Sequence, residues 1–295
     1  MNYLILSILL NAYIGIIFII FYRFKIDILQ AIVFNYITCV ITGSIFNTEF
    51  PLNIHSIEEP WFKWAILMGF LFISILNLIG ISSIKAGITV TQTANKLSLI
   101  IPVLFSWYLY HEQITWIKWS GIIIAMFAVV FTIWKTEKSL TSKTFFAFFY
   151  PLLIFFGSGL LDTLTKYVES NFVVNESIAN KYLISGFLSA ASIGSIMLIA
   201  LYFFKKKKFQ FKNVIAGIIL GVPNYFSIYS LIMALKNQTL SSSAIIPINN
   251  IGVLFVVSFF GILIFKEKMS KLNYLGLLLT IVSIVLIYFG DIYFK

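Results

Sequence analysis

The sequence predicts an all-α integral membrane protein of ten transmembrane helices, arranged as two inverted five-helix repeats. Of 295 residues, 60% are hydrophobic and 11% charged, and the mean hydropathy is +0.98, which leaves too little polar surface for a water-soluble domain. Apolar runs of about 20 residues, the helix length that crosses roughly 30 Å of hydrocarbon, recur from end to end. Alternating strands of the kind that close a β-barrel are missing. The pattern repeats once about a charged joint at 135–143, and five helices per copy leave the second copy upside down relative to the first.

The first helix is expected over 2–22, with Asn11 and Tyr13 inside it. It has no basic leader, short apolar core or clear small-residue cleavage site, so it is expected to stay as a structural helix. The second, 28–46, carries Asn35 and Cys39, the single cysteine, which excludes an intrachain disulfide and a thiolate cluster. The third spans 62–84, with Trp61 and Trp64 at its start and Asn77 inside. The fourth, 88–110, holds Gln92, Asn95, Lys96 and Pro102, with Trp107 and Tyr108 either lining a pathway or packing. The fifth, 114–134, has Trp116, Trp119 and Trp134 near its ends, and these read, with Trp61 and Trp64, as interfacial anchors. In the sixth, 144–167, Asp162 is the one acidic residue clearly within a span, and Lys166 stands at i+4, where the two can pair. The seventh covers 178–204. The eighth, 214–235, contains Gly217, Gly221 and Pro223, which bend it or draw it close to a neighbour and set Asn224 and Tyr225 beside freed backbone groups. The ninth, 239–265, carries Pro247, Asn249 and Asn250, and the tenth covers 272–289. The repeats are thus 1–135 and 144–295, joined by a linker at 136–143.

The net charge of +10 is not a nucleic-acid footprint, because of where it lies. Arg23, Lys25, Lys85, Lys135, Lys138, Lys143, Lys205 to Lys208, Lys212, Lys266, Lys268 and Lys271 fall in alternate connections, fourteen of twenty-one basic residues on one side. The other side carries Glu49, Glu58, Glu59, Glu169 and Glu176, with Lys63, Lys118, Lys181, Lys236 and Lys295 scattered there. The positive-inside bias puts the basic connections and the linker in the cytoplasm and both termini outside a plasma (inner) membrane. The Lys205 to Lys208 cluster reads as a topology signal that touches anionic lipid.

Glu112 and Gly121 recur as Glu267 and Gly276 at an offset of 155, which also maps Asn95 onto Asn250. Upstream, Ser83-Ile84-Lys85-Ala86 matches Ala234-Leu235-Lys236-Asn237 at an offset of 151, so the second copy has one short insertion. Both glutamates read as structural punctuation, hydrated or capping the next helix. The short connection Ile84-Lys85-Ala86, the fourth helix running through Pro102 to Glu112, and Gly121 nine residues on resemble an EamA-type repeat of the drug/metabolite transporter superfamily. The segment from Ala234 through Glu267 to Gly276 resembles the second repeat. This resemblance implies ten helices, a central cavity formed mainly by helices one, three, four, six, eight and nine, and export or exchange of small metabolites. The second copy departs from the first at Val257, which stands in the place of Pro102, with Pro247 ten residues earlier.

Lys96 lies about 12 Å along its helix from the cytoplasmic end. A charge at that depth is costly unless it meets a wet cavity or a partner; it either binds a substrate carboxylate or phosphate or forms a structural pair. Asp162 pairs with Lys166 or, facing the cavity, couples transport to protons. Helix one lacks the glutamate that small multidrug relatives keep, which weakens drug/proton antiport of that type. The amides Asn11, Asn35, Asn77, Gln92, Asn95, Asn224, Asn249 and Asn250 need partners, from helices or from substrate. The expected lining is Lys96, Asn95, Asn250, Asn249, Asn11, Asn77 and Tyr225, with Asp162 for proton coupling. No catalytic residue, cofactor or metal is expected. His55 and His111 have no second ligand nearby, a Gly-rich nucleotide loop is absent, and the stretch 47–60 offers an enzyme only Glu49, His55, Glu58 and Glu59. The reading is a secondary transporter, an exporter or exchanger, of small organic metabolites such as amino-acid-like solutes. It works by alternating access, with a proton or counter-substrate as partner and membrane lipid as solvent; a monomer suffices and a dimer is compatible. The alternatives are a multidrug exporter, a flippase for a lipid-linked intermediate and a membrane-embedded enzyme.

Overall fold

In hydrocarbon every backbone N–H and C=O must find its partner within the chain, and an apolar run meets that demand by coiling. The computed structural model describes residues 1–47, 50, 52–85, 88–133, 146–205, 208–237, 240–265 and 270–293. Among these the chain forms eleven α-helices and one 3-10 turn, without strands. The helices are α1 (Asn2–Arg23), α2 (Ile28–Phe46), α3 (Phe62–Lys85), α4 (Ile88–Leu97), α5 (Ile100–Leu109), α6 (Trp116–Ile133), α7 (Phe146–Phe172), α8 (Glu176–Lys205), α9 (Phe211–Lys236), α10 (Ser242–Phe265) and α11 (Lys271–Ile292), with the turn at Ile54–Glu58. Glu49, Ala86, Trp134, Lys135, the linker 136–143, Lys206, Lys207, Lys266, Glu267, Lys268 and Lys295 lie outside the described residues.

Among the described residues six helices are long and apolar enough to cross a membrane: Ile28–Phe46, Phe62–Ile79, Glu176–Phe204, Phe211–Lys236, Ser242–Leu263 and Lys271–Ile292. Asn2–Phe18 and Trp116–Thr132 are shorter apolar helices. The chain is a multi-pass membrane protein. The helices outside both groups are α4 and α5, of ten residues each, and the longer α7, and they carry Asn95, Lys96, Pro102 and Asp162.

The continuous helix expected over 88–110 is broken. Pro102 has no N–H to give the carbonyl of Ser98, four residues back, and its ring crowds that carbonyl. The N–H of Ile101 takes the Ser98 carbonyl instead at 3.0 Å, and the ladder restarts at Ile100. The Ser98 hydroxyl turns back to the carbonyl of Asn95 at 2.6 Å. Leu99 precedes α5 without a side-chain cap and in helical backbone geometry, φ −51° and ψ −25°, so the break is a tightened turn between two helical segments.

Among the described residues two large apolar cores hold the bundle, beside a smaller cluster of Phe21, Ala31, Ala216 and Leu220. One gathers α2, α3, α7, α8 and α9 around Tyr36, Met68, Tyr182 and Phe187. The other gathers α1, α5, α6, α9, α10 and α11 around Leu99, Ile122, Ile246 and Ile287. Each draws on residues from both sides of the linker. Trp61 belongs to the first core, 2% exposed, which corrects its reading as an interfacial anchor: its indole fills the space between α3 and its neighbours. Trp116 is 89% exposed, as an anchor requires. Trp107 and Tyr108 face outward from α5 and are not core packing.

Helices α6 and α11 cross closely. A Cβ on Gly121 would stand 2.8 Å from Ile287, one on Gly276 would collide with the Thr132 backbone, and one on Gly290 would stand 2.7 Å from the Lys118 nitrogen. Only glycine admits backbones this close.

Candidate functional site

The break between α4 and α5 gathers the charged and amide side chains of three helices. Asn95 and Lys96 occupy the last turn of α4. Ser158 and Asp162, one turn apart on α7, share a face. The Ser158 hydroxyl donates to Asn95 Oδ1 at 2.7 Å, and Asp162 interacts electrostatically with the half-buried Lys96. From α10 the Asn250 amide donates to Asp162 Oδ2 at 3.0 Å. Next to it Asn249 is 7% exposed, and among the described residues its Oδ1 has no hydrogen-bond partner. A buried acceptor left bare costs about 1–3 kcal/mol, a cost that a donor on a bound molecule would remove. Because Leu164 of α7 belongs to the first apolar core and Ile248 of α10 to the second, the cluster sits on the seam between the two.

The expected pair of Asp162 with Lys166 does not form. Lys166 Nζ lies 2.7 Å from Glu169 instead, three residues along the same helix, because α7 runs on to Phe172, past the expected end at 167. That leaves Asp162 to Asn250 and Lys96. Asn11, Asn77 and Tyr225 are not joined to the cluster by a described hydrogen bond. Asn11 donates to the Ser7 carbonyl at 3.0 Å and Asn77 to that of Ile73 at 2.7 Å, each within its own helix. Tyr225 is fully buried, donates to Asn180 Oδ1 at 2.7 Å and lies among Phe46, Phe187 and Tyr229. Asn224 donates to Asn35 Oδ1 at 3.1 Å, tying α9 to α2.

A second polar knot ties α6, α10 and α11 and was not foreseen. Lys118, counted in the charge tally among the basic residues of the acidic side, is fully buried, with Nζ 2.6 Å from Asp291 Oδ1 and 2.6 Å from the Ser241 hydroxyl. Asp291 Oδ2 accepts the N–H of Ser241 at 2.8 Å. Glu112 caps a helix, but not the next one: its carboxylate takes the N–H groups of Ser242 and Ser243 at 3.1 and 2.9 Å, and both hydroxyls, at the start of α10. Burial works against its charge, but the serine hydrogen bonds and the nearby Lys118 outweigh that and hold its pKa below the usual glutamate value. Ser158, Lys118 and Asp291 left no signal in the sequence, since each acquires its role from a helix distant along the chain.

A protein of Haemophilus influenzae, itself uncharacterized, is 30% identical to this chain, and the match covers 99% of each. The chain belongs to that protein's family. No family model matches the chain. A protein of known crystal structure superposes on 100% of this chain and 98% of its own length, with a TM-score of 0.77 at 10% identity. At that identity the likeness is one of fold.

Proposed function

We propose that this protein is a secondary transporter of small organic metabolites such as amino-acid-like solutes, an EamA-type member of the drug/metabolite transporter superfamily that works by alternating access. The observation that carries the reading is the polar cluster at an interrupted helix. Transporters characteristically form their sites where helices are discontinuous near the bilayer midplane, with half-helix N-termini favouring anionic groups. Here the Lys96 ammonium favours a carboxylate, while Asp162 and the bare oxygen of Asn249 favour an ammonium. A zwitterion satisfies both. Asp162, coupled to Lys96 and within reach of such an ammonium, is the residue through which a proton or counter-substrate would exchange.

Ten membrane crossings as two inverted repeats, 1–135 and 144–295, are the architecture that fits this reading. The offset of 155 supports it in three dimensions: Gly121 meets Ile287 and Gly276 meets Thr132, and the offset carries one contact onto the other with the helices antiparallel. The Thr115 hydroxyl accepts the N–H of Lys118, and at the same offset the Ser270 hydroxyl accepts that of Asn273. Lys212 donates to the carbonyls of Phe24 and Lys25 at 3.1 and 3.0 Å, so basic residues gather at the end of the bundle away from Glu112. With the positive-inside bias, that end is cytoplasmic and both termini are outside the plasma membrane.

The test is a thermal-shift screen of amino acids and small carboxylates on the detergent-purified protein, followed by counterflow of the hit in liposomes. Lys96→Ala is expected to fold and to lose counterflow. Unchanged counterflow would remove Lys96 from the site, and the absence of any shift or counterflow across amino acids and carboxylates would overturn the substrate class.

A further inference from the structure

The segment between α5 and α6 lies across one end of the bundle, above the polar cluster. His111 ends α5 in a left-handed turn, φ 50°, and the residues on either side of it reach in different directions. Tyr110 receives the Lys166 ammonium over its ring at 5.5 Å, and Glu169 holds that ammonium at 2.7 Å, which ties the segment to α7. Glu112 reaches the first turn of α10, where its two oxygens accept two backbone N–H groups and two hydroxyls. The Ser106 hydroxyl, one turn before the end of α5, shares a hydrogen bond of 2.9 Å with Ser242. Below this bridge the site begins: Asp162 lies one turn down α7 from Lys166, about 6 Å, and Asn249 and Asn250 lie two turns down α10 from Ser242 and Ser243, about 10 Å.

A helix cap is ordinarily supplied by the residue just ahead of the helix. This one comes from 130 residues away, and the four described bonds of its carboxylate go to a helix that carries two of the site's amides. Helix α10 cannot tilt at this end without breaking them. When they break, water can take the place of each partner, so the net cost stays small enough for a reversible switch.

We propose that Tyr110 and Glu112 are the gate at this end of the transport path, with Glu112 latched onto Ser242 and Ser243 closing the site. This rests on the transport reading, and the test separates the two. Cys39 is the single cysteine, so a Cys39→Ser background carrying Asn250→Cys reports access to the site by its rate of reaction with a membrane-impermeant maleimide. The exposed Gln113, as Gln113→Cys, identifies the face on which the Glu112 end lies. From that face, Glu112→Gln is expected to speed labelling about tenfold or more, the scale for loosening hydrogen bonds to a charged group in one of two states. The double variant Ser242→Ala/Ser243→Ala removes the two hydroxyl donors and keeps good helix formers, so it gives the same readout should Glu112→Gln not fold. Unchanged labelling in a folded variant overturns the gate, even where Lys96→Ala abolishes counterflow. Faster labelling supports the gate whatever counterflow does, because the readout needs no transported ligand.

Discussion

Lys118 and Asp291 are the most deeply buried ion pair among the described residues, with side chains 0% and 2% exposed. Two charges taken out of water together attract strongly, but a single one left behind has no compensation. Lys118→Met is therefore expected to destabilise the fold by about 3–5 kcal/mol, whereas Lys118→Met with Asp291→Leu recovers most of the loss. Denaturation of the three proteins in one detergent measures it; equal stability of the single and double variants would refute the pairing argument. The sequence offers no hint of this pair. Lys118 and Asp291 each stand near a helix end, where a charge ordinarily meets water, and they meet only because Gly290 lets α11 lie against the backbone of Lys118. The cluster at Lys96 was more legible: a lysine, an aspartate and paired amides within apolar runs are costly, and that cost made them candidates before any contact was known. Which partner each takes was not legible, since Asp162 has a lysine at i+4 that binds elsewhere.

The break between α4 and α5 depends on one residue. Pro102→Ala supplies an N–H that can reach the Ser98 carbonyl at i−4, which Ile101 now occupies, and removes the ring that keeps α4 and α5 from joining. The variant is expected to fold with equal or higher thermal stability and, since a joined helix re-aims Asn95 and Lys96 at the end of α4, to lose counterflow by roughly tenfold or more. Lower stability together with full transport would show that the break serves packing alone. Pro247 and Pro223 stand inside helices that continue past them. A proline in the sequence therefore marks a place where the ladder is weak, while the neighbours that fill or leave the gap determine whether it opens. Caps were easier to foresee in kind than in partner. Ser270 caps its own helix through Asn273, but Glu112 caps one that begins far along the chain.

Both of these apolar cores are built from residues on both sides of 136–143, so the two halves of the chain interlock and do not form separate lobes. Residues 1–135 or 144–295 expressed alone are expected to give no monodisperse protein, and coexpression of the two to restore a species with the parent's elution and thermal transition. A stable isolated half would contradict the shared cores. The interlocking also puts the polar cluster on the seam between the two cores, the place that the proposed alternating access requires.

Hydropathy and charge distribution are properties of neighbours along the chain, and they determined that this protein is helical and crosses a membrane several times. Which polar groups meet, which helix breaks open and which loop bridges its end depend on the register between helices far apart in sequence. That register is set by steric fit, as where Gly121 faces Ile287 and Gly276 faces Thr132. An apolar run states only that it will be buried in lipid or protein; close packing against a particular partner selects the face, and with it the residues that share a site.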